Sequence, residues 1–241
     1  MKKPVRSARF LLIGAFLTVV LSQPKSLVAQ PVNIPYFNNF EGSLAPFTDS
    51  TVTGSSWQFG TPAFGSTTGA HSGQNAWDIE LSLPYADGTL SYLTTPFFNL
   101  AGDSNVILSF WQNRNTEPYY DGMRIEYTTN GLSWSVLGTW NDTNAVNWYN
   151  DYFISSSGFP AWDSSTTGWV QSTYKLSALG ITGNVSFRFV FSSDPSVYLD
   201  GISIDDFAIY VLPDSDAGVS AMTNFPFLVA GSTTSPFGGG W

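Results

Sequence analysis

Two adjacent acids stand inside an apolar stretch, Val197-Tyr198-Leu199-Asp200-Gly201-Ile202-Ser203-Ile204-Asp205-Asp206-Phe207-Ala208-Ile209-Tyr210-Val211. A period of two places Asp205, Phe207, Ile209 and Val211 on one face of a strand and Ile204, Asp206, Ala208 and Tyr210 on the other. A carboxylate among apolar neighbours costs several kcal/mol unless it is neutralised, hydrogen-bonded or bound to a metal. A second acid in an apolar setting, Glu41 after Phe40, lies near the start of the region that reads as folded. If the first and last strands lie side by side, Glu41 and Asp205 meet with a cation between them. Calcium suits such a site, because it takes six to eight oxygen ligands. Asp78 or Asp206 would supply a third carboxylate, and backbone oxygens around Ser72 to Ala76 the rest. The alternative is that Asp205 accepts backbone N–H bonds or pairs with Arg188.

Other chemistries find less support. A metallopeptidase needs two His at helical spacing, and His71 is the single His, in a Ser- and Gly-flanked turn. A glycosidase needs a carboxyl pair across a cleft. Glu80, Glu117 and Glu126 are available, but no motif groups them and they read as solvated strand edges. The expectation is a protein that is not an enzyme. Sugar recognition is a separate possibility, since sugars stack their apolar faces on aromatic rings. Trp111, Tyr119, Tyr120, Trp148, Tyr149 and Trp162 fall on expected loops or strand ends and are the candidate ligand-binding set. Half or more of these rings are expected to pack inward. Trp57, Trp77, Trp134 and Trp169 lie on alternating strands and read as core.

The elements that must hold these residues are strands. From Pro31 to Val211 apolar residues recur every second position in short runs bounded by Gly, Pro, Asn, Asp and Ser, as in an all-β sandwich. Expected strands are 36–41, 55–60, 74–80, 89–94, 106–112, 123–128, 133–138, 169–174, 184–191 and 202–211. Asn130-Gly131 predicts a hairpin in which both residues take positive φ. Residues 141–168 show no steady period, yet carry Trp148, Tyr149, Tyr152, Phe153, Phe159 and Trp162. So long a connection either covers the core edge or forms a binding surface.

Residues 1–29 read as a secretion signal. Lys2, Lys3, Arg6 and Arg9 precede an apolar run from Phe10 to Leu21 that is too short to span a bilayer, and Leu27-Val28-Ala29 offers a cleavage site. Its removal leaves Arg114, Arg124, Lys175 and Arg188 against eighteen acids, 4 minus 18 or −14. Nucleic acid and anionic membrane are therefore poor partners, and cations better ones. The sequence has no Cys, so stability must come from a core or a bound metal. Residues 30–212 suffice for one domain with a sizeable core. Residues 213–241 read as a linker and the truncated start of another module.

Nine segments together resemble the MAM-like jelly-roll domains of secreted bacterial surface proteins, found also beside immune-inhibitor-A-type metallopeptidases. They are Phe40-Glu41-Gly42, Trp57-Gln58-Phe59-Gly60-Thr61-Pro62, His71-Ser72-Gly73-Gln74-Asn75-Ala76-Trp77, Leu93-Thr94-Thr95-Pro96-Phe97-Phe98-Asn99-Leu100, Leu108-Ser109-Phe110-Trp111, Tyr120-Asp121-Gly122, Tyr127 to Trp134, Phe187 to Asp194, and Asp200 to Phe207. The resemblance covers residues 36–211. It implies an antiparallel two-sheet jelly roll with adjacent first and last strands. It also implies a structural calcium near the Phe-Glu and Ile-Asp-Asp positions and an Ig-like module after residue 213. The cysteines of eukaryotic MAM domains are missing. The implied protein is a secreted or cell-surface, monomeric module for adhesion or recognition of an extracellular glycan or surface protein. A carbohydrate-binding module and the accessory domain of an exported peptidase are the alternatives.

Overall fold

The computed structural model describes residues 30–42, 46–100, 102 and 104–212. The expected signal, linker and following module lie outside the described residues. Among the described residues there are fourteen strands: β1 Val32–Asn33, β2 Tyr36–Asn38, β3 Thr48–Thr53, β4 Trp57–Gly60, β5 Ala76–Ile79, β6 Leu90–Thr94, β7 Phe98–Asn99, β8 Val106–Asn115, β9 Gly122–Thr128, β10 Ser135–Val136, β11 Ala145–Val146, β12 Val170–Lys175, β13 Asn184–Ser192 and β14 Gly201–Val211. They form two seven-stranded sheets. In one, β1, β7, β13, β6 and β3 lie in that order, and β9 with β10 continues from β13; in the other the order is β11, β12, β8, β14, β5 and β4, with β2 also on β14. Every pairing is antiparallel except β1 with β7. This is an all-β, two-sheet jelly-roll sandwich.

All ten expected strands form; β2, β4, β5, β6 and β10 are shorter than their apolar pattern, and β8, β9, β13 and β14 are longer. β3 was not legible, because Thr-Asp-Ser-Thr-Val-Thr is polar and exposed along its whole length. It pairs with β6 on one side only, so nothing forces an apolar face. The Asn130-Gly131 hairpin joins β9 to β10, but only Gly131 has positive φ. The turn is wider than two residues: Thr128 Oγ1 accepts the N–H groups of Asn130 and Gly131, and Asn130 Oδ1 those of Leu132 and Ser133.

The core lies between the sheets and is rich in phenylalanine. Phe110 of β8 meets Phe189 of β13 edge to face at 5.0 Å, and Phe207 of β14 meets Phe98 of β7 at 5.9 Å. β14 is the spine of its sheet. It pairs with β8 along one side and, on the other, first with β5 at Ser203 and Ile204 and then with β2 at Phe207 to Ile209. The first folded segment and the last strand are therefore adjacent.

At the change of partner β14 carries a bulge. Asp205 faces Trp111 and Ala208 faces Ser109, so Asp206 and Phe207 together oppose one residue; Asp206 has φ 48°. The extra residue resets the alternation, so Ile202 and Ile204 before it and Phe207 and Ile209 after it all enter the core. This corrects the uninterrupted alternation expected from sequence, which put Asp205 on the face of Phe207. Phe189→Ala should cost about 3–5 kcal/mol in denaturant unfolding, since it empties a site packed from both sheets. A loss below about 1 kcal/mol would show that the sheets are not held there.

Candidate functional site

Three of the acids singled out from sequence, Glu41, Asp205 and Asp206, are brought to one connection, residues 61–75 between β4 and β5. Asp205, fully buried, accepts the N–H groups of His71 at 2.9 Å and Ser72 at 3.0 Å on Oδ2, and that of Asp206 on Oδ1. Asp206 takes the Ser72 hydroxyl at 2.8 Å and His71 Nδ1 at 2.5 Å. The His71 ring stacks on half-buried Trp111, with centroids 3.7 Å apart. Glu41 accepts the N–H groups of Gln74 and Asn75 at 2.8 and 2.6 Å. Asp200 does the same for Ser66, taking its N–H and its hydroxyl. Asp78 is buried on β5 opposite Ser203.

The four expected metal ligands, Glu41, Asp78, Asp205 and Asp206, thus do not converge on a common point. Three of them act as acceptors for loop amides and side chains, which is the alternative that the sequence left open. Gly73 shows how closely Glu41 is seated: at φ 61°, a Cβ there would lie 2.2 Å from the Glu41 carboxyl carbon.

Among the described residues a different set of acids converges. Ligand oxygens of Glu117, Asp121 and Asp194 all lie within 4.8 Å of one another. The β8–β9 connection supplies Glu117 and Asp121, and the β13–β14 connection supplies Asp194. Asp121 is buried and accepts the Tyr85 hydroxyl at 2.7 Å and the Asp194 N–H at 2.6 Å. Glu117 Oε2 is buried without a hydrogen-bond partner. Burial pushes Asp121 up to about 6, with Asp194 and Glu117 adding to the rise; burial and then Asp194 raise Glu117. Three crowded carboxylates, one with an orphaned oxygen, are a donor set that can hold a hard metal ion. Glu117 is therefore no solvated strand edge. Nor is Glu126, buried between Arg124 at 2.8 Å and Arg188 at 2.5 Å.

The aromatic residues divide. Trp148, Tyr149 and Trp162 are buried and offer no ring face to a ligand. Trp162 packs edge-on to Phe110 at 5.5 Å and its Nε1 donates to Asn147 O; the Tyr149 hydroxyl takes the Ile125 N–H and reaches Leu137 O. Tyr119 and Tyr120 are exposed, at 69% and 44%. With Trp140, Asn150, Asp151, Tyr152, Phe153 and Ser155 they line a groove of about 550 Å³. Trp140 and Tyr152 stand edge to face at 6.2 Å, and Tyr152 is 69% exposed. Tyr119 O and Tyr120 O accept the N–H groups of Ser155 and Ser156, so both walls are tied by backbone bonds. Tyr152 and Phe153 were visible in sequence as loop aromatics, but Trp140 carried no local signal that set it apart from a core ring.

No protein-family model matches the sequence, and no curated protein does. Several solved structures are distantly similar in architecture. The K1 cleaved adhesin domain of Lys-gingipain from Porphyromonas gingivalis W83 is 15% identical, with a TM-score of 0.45 over 74% of this chain and 98% of that one. TmCBM61, solved with β-1,4-galactotriose, is 14% identical, with a TM-score of 0.43 over 72% and 94%. A xylan-binding domain from CBM 22 is 12% identical, with a TM-score of 0.41 over 73% and 93%.

Burial pushes Asp205 up to about 7 against the pull of its backbone N–H donors. A carboxyl raised from its unfolded value near 3.9 binds more protons folded than unfolded. Its stabilising contribution is complete below about pH 4 and is lost as pH climbs through about 7. The melting temperature should therefore be higher at pH 5 than at pH 8, and Asp205→Asn should flatten that slope. A slope of the opposite sign would contradict the assignment.

Proposed function

We propose that the chain is an exported, non-catalytic recognition module that binds extracellular glycans in the groove between Tyr119 and Tyr152. The observation that carries this reading is the groove itself. Five aromatic residues surround a space of about 550 Å³, within the range of ligand sites, and Asn150, Asp151 and Ser155 add hydrogen-bonding groups among them. Exposed rings of this size are costly in water and suited to the apolar faces of sugars. The secretion signal expected at residues 1–29 and the resemblance of residues 36–211 to MAM-like modules accord with export and with a place on the cell surface. A glycan of a surface protein or polysaccharide is the natural partner.

The same reading assigns a structural calcium to Glu117, Asp121 and Asp194. The orphaned Glu117 oxygen supports it, as does an all-oxygen donor set. The ion would neutralise the three acids and tie the β8–β9 connection to the β13–β14 connection.

Binding to a glycan array should be lost in Tyr119→Ala and Tyr152→Ala, at about 1–3 kcal/mol per stacked ring by analogy with other aromatic stacking. Titration calorimetry on any array hit checks the size. Hits that survive both substitutions would remove the groove from the account. Separately, millimolar calcium should raise the melting temperature, by about 2.7 kcal/mol of stability at a hundredfold excess over Kd. Glu117→Gln should abolish the rise and Glu41→Gln should keep it. The reverse pattern would return the ion to the β2–β14 junction.

A further inference from the structure

We infer that the groove selects uncharged glycans and rejects acidic ones, those that carry carboxylate, sulfate or phosphate groups. This rests on the glycan reading above and names the class of sugar within it. The residues that line the groove are Tyr, Trp, Phe, Asn, Ser and one acid, Asp151; none is Lys, Arg or His. Acid recognition relies on the fork of arginine or the ammonium of lysine. The described region holds four such side chains, Arg114, Arg124, Lys175 and Arg188. Arg124 and Arg188 are both bound to Glu126, and the Arg124 guanidinium lies over the Phe159 ring at 4.9 Å. Lys175 closes β12, where its N–H donates to Asn144 O, and it does not line the groove.

Arg114 comes nearest, and its bonds are already made. Its Nε donates to Asp163 O at 2.7 Å, and its two terminal nitrogens reach Gln112 Oε1 and Asn150 Oδ1 at 3.3 Å. It thereby holds the side chain of Asn150. Asp163, buried beneath it, takes the Tyr119 N–H at 2.6 Å.

The charge around the rings is negative instead. Asp151 lines the groove and holds the Phe153 N–H on Oδ1 at 3.0 Å. An acidic sugar on the rings would meet the Asp151 carboxylate with no cationic side chain in the lining to offset it, whereas a neutral sugar would meet only ring faces and hydrogen-bonding groups. Such like-charge juxtaposition is how interfaces suppress wrong partners.

The experiment is calorimetric titration of the full chain with matched pairs that differ in their acid groups. Three are practical: N-acetyllactosamine with and without sialic acid, xylo-oligosaccharide with and without glucuronyl branches, and galacto-oligosaccharide against oligogalacturonate. Only affinity that Tyr152→Ala removes counts as groove binding. For each pair whose neutral member binds, the acidic member should bind at least tenfold more weakly in 20 mM salt. The gap should narrow in 0.5 M salt, because screening weakens repulsion, and should narrow also in Asp151→Asn. Equal affinity within a pair, or tighter binding of the acidic member, overturns the selectivity and leaves glycan binding standing. If no member of any pair, neutral or acidic, shows binding sensitive to Tyr152→Ala, the glycan reading itself fails and the selectivity falls with it.

Discussion

The aromatic knot of Trp148, Tyr149 and Trp162 on Phe110 is the contact that the groove end of the molecule depends on. Residues 141–168 have too little regular structure to hold themselves in place; β11 is two residues long. What fixes them is the burial of three large rings, at centroid separations of 4.6 to 5.5 Å, together with bonds from their polar atoms to backbone. Each buried ring contributes on the order of 1.5–3 kcal/mol of transfer free energy, enough together to offset ordering several loop residues. With one side of the connection anchored, Tyr152 and Phe153 on the other side are held in solvent beside Tyr119 and Tyr120. Of the two roles that the sequence left open for this segment, covering the core edge is filled by Trp148, Tyr149 and Trp162, while Tyr152 and Phe153 are exposed along the groove.

A second constraint acts at the β4–β5 connection. Asp200, Asp205, Asp206 and Glu41 take amide or hydroxyl hydrogens from Ser66, His71, Ser72, Gln74 and Asn75, and so pin a loop that has no sheet partner. Acceptor-only side chains satisfy successive loop amides, whose burial without partners would be costly. The bulge in β14 makes this possible, since it turns Asp205 toward the loop while the flanking apolar residues keep to the core. In a chain without disulfides these bonds tie the two ends of the folded region to one loop.

The fold was legible because ten strands bury one face and so show their period in the residues. β3 escaped because it buries neither face, and the bulge because Ile-Asp-Asp-Phe reads as continuous alternation until the pairing is seen. The acid pair at 205–206 was recognised as anomalous, and the anomaly is real, but amides and a cation are equivalent remedies at the level of sequence. Glu117, Asp121 and Asp194 were not legible as a group, since two separate connections bring them together. The short spacing of two acids in Glu117-Pro-Tyr-Tyr-Asp121, a loop where backbone can curl around an ion, was the one local signal. Of the six candidate rings Tyr119 and Tyr120 are exposed and Trp148, Tyr149 and Trp162 are buried, a division that the sequence does not show because all five read alike as loop aromatics.

The claim that one face of this segment anchors and the other recognises is tested most directly by the indole N–H resonances during a glycan titration. Trp140 Nε1 should shift and saturate with the ligand, while Trp148 Nε1 and Trp162 Nε1, held on Leu137 O and Asn147 O, stay in place. A fixed Trp140 signal at saturating ligand, or equal shifts at all three, would contradict the account.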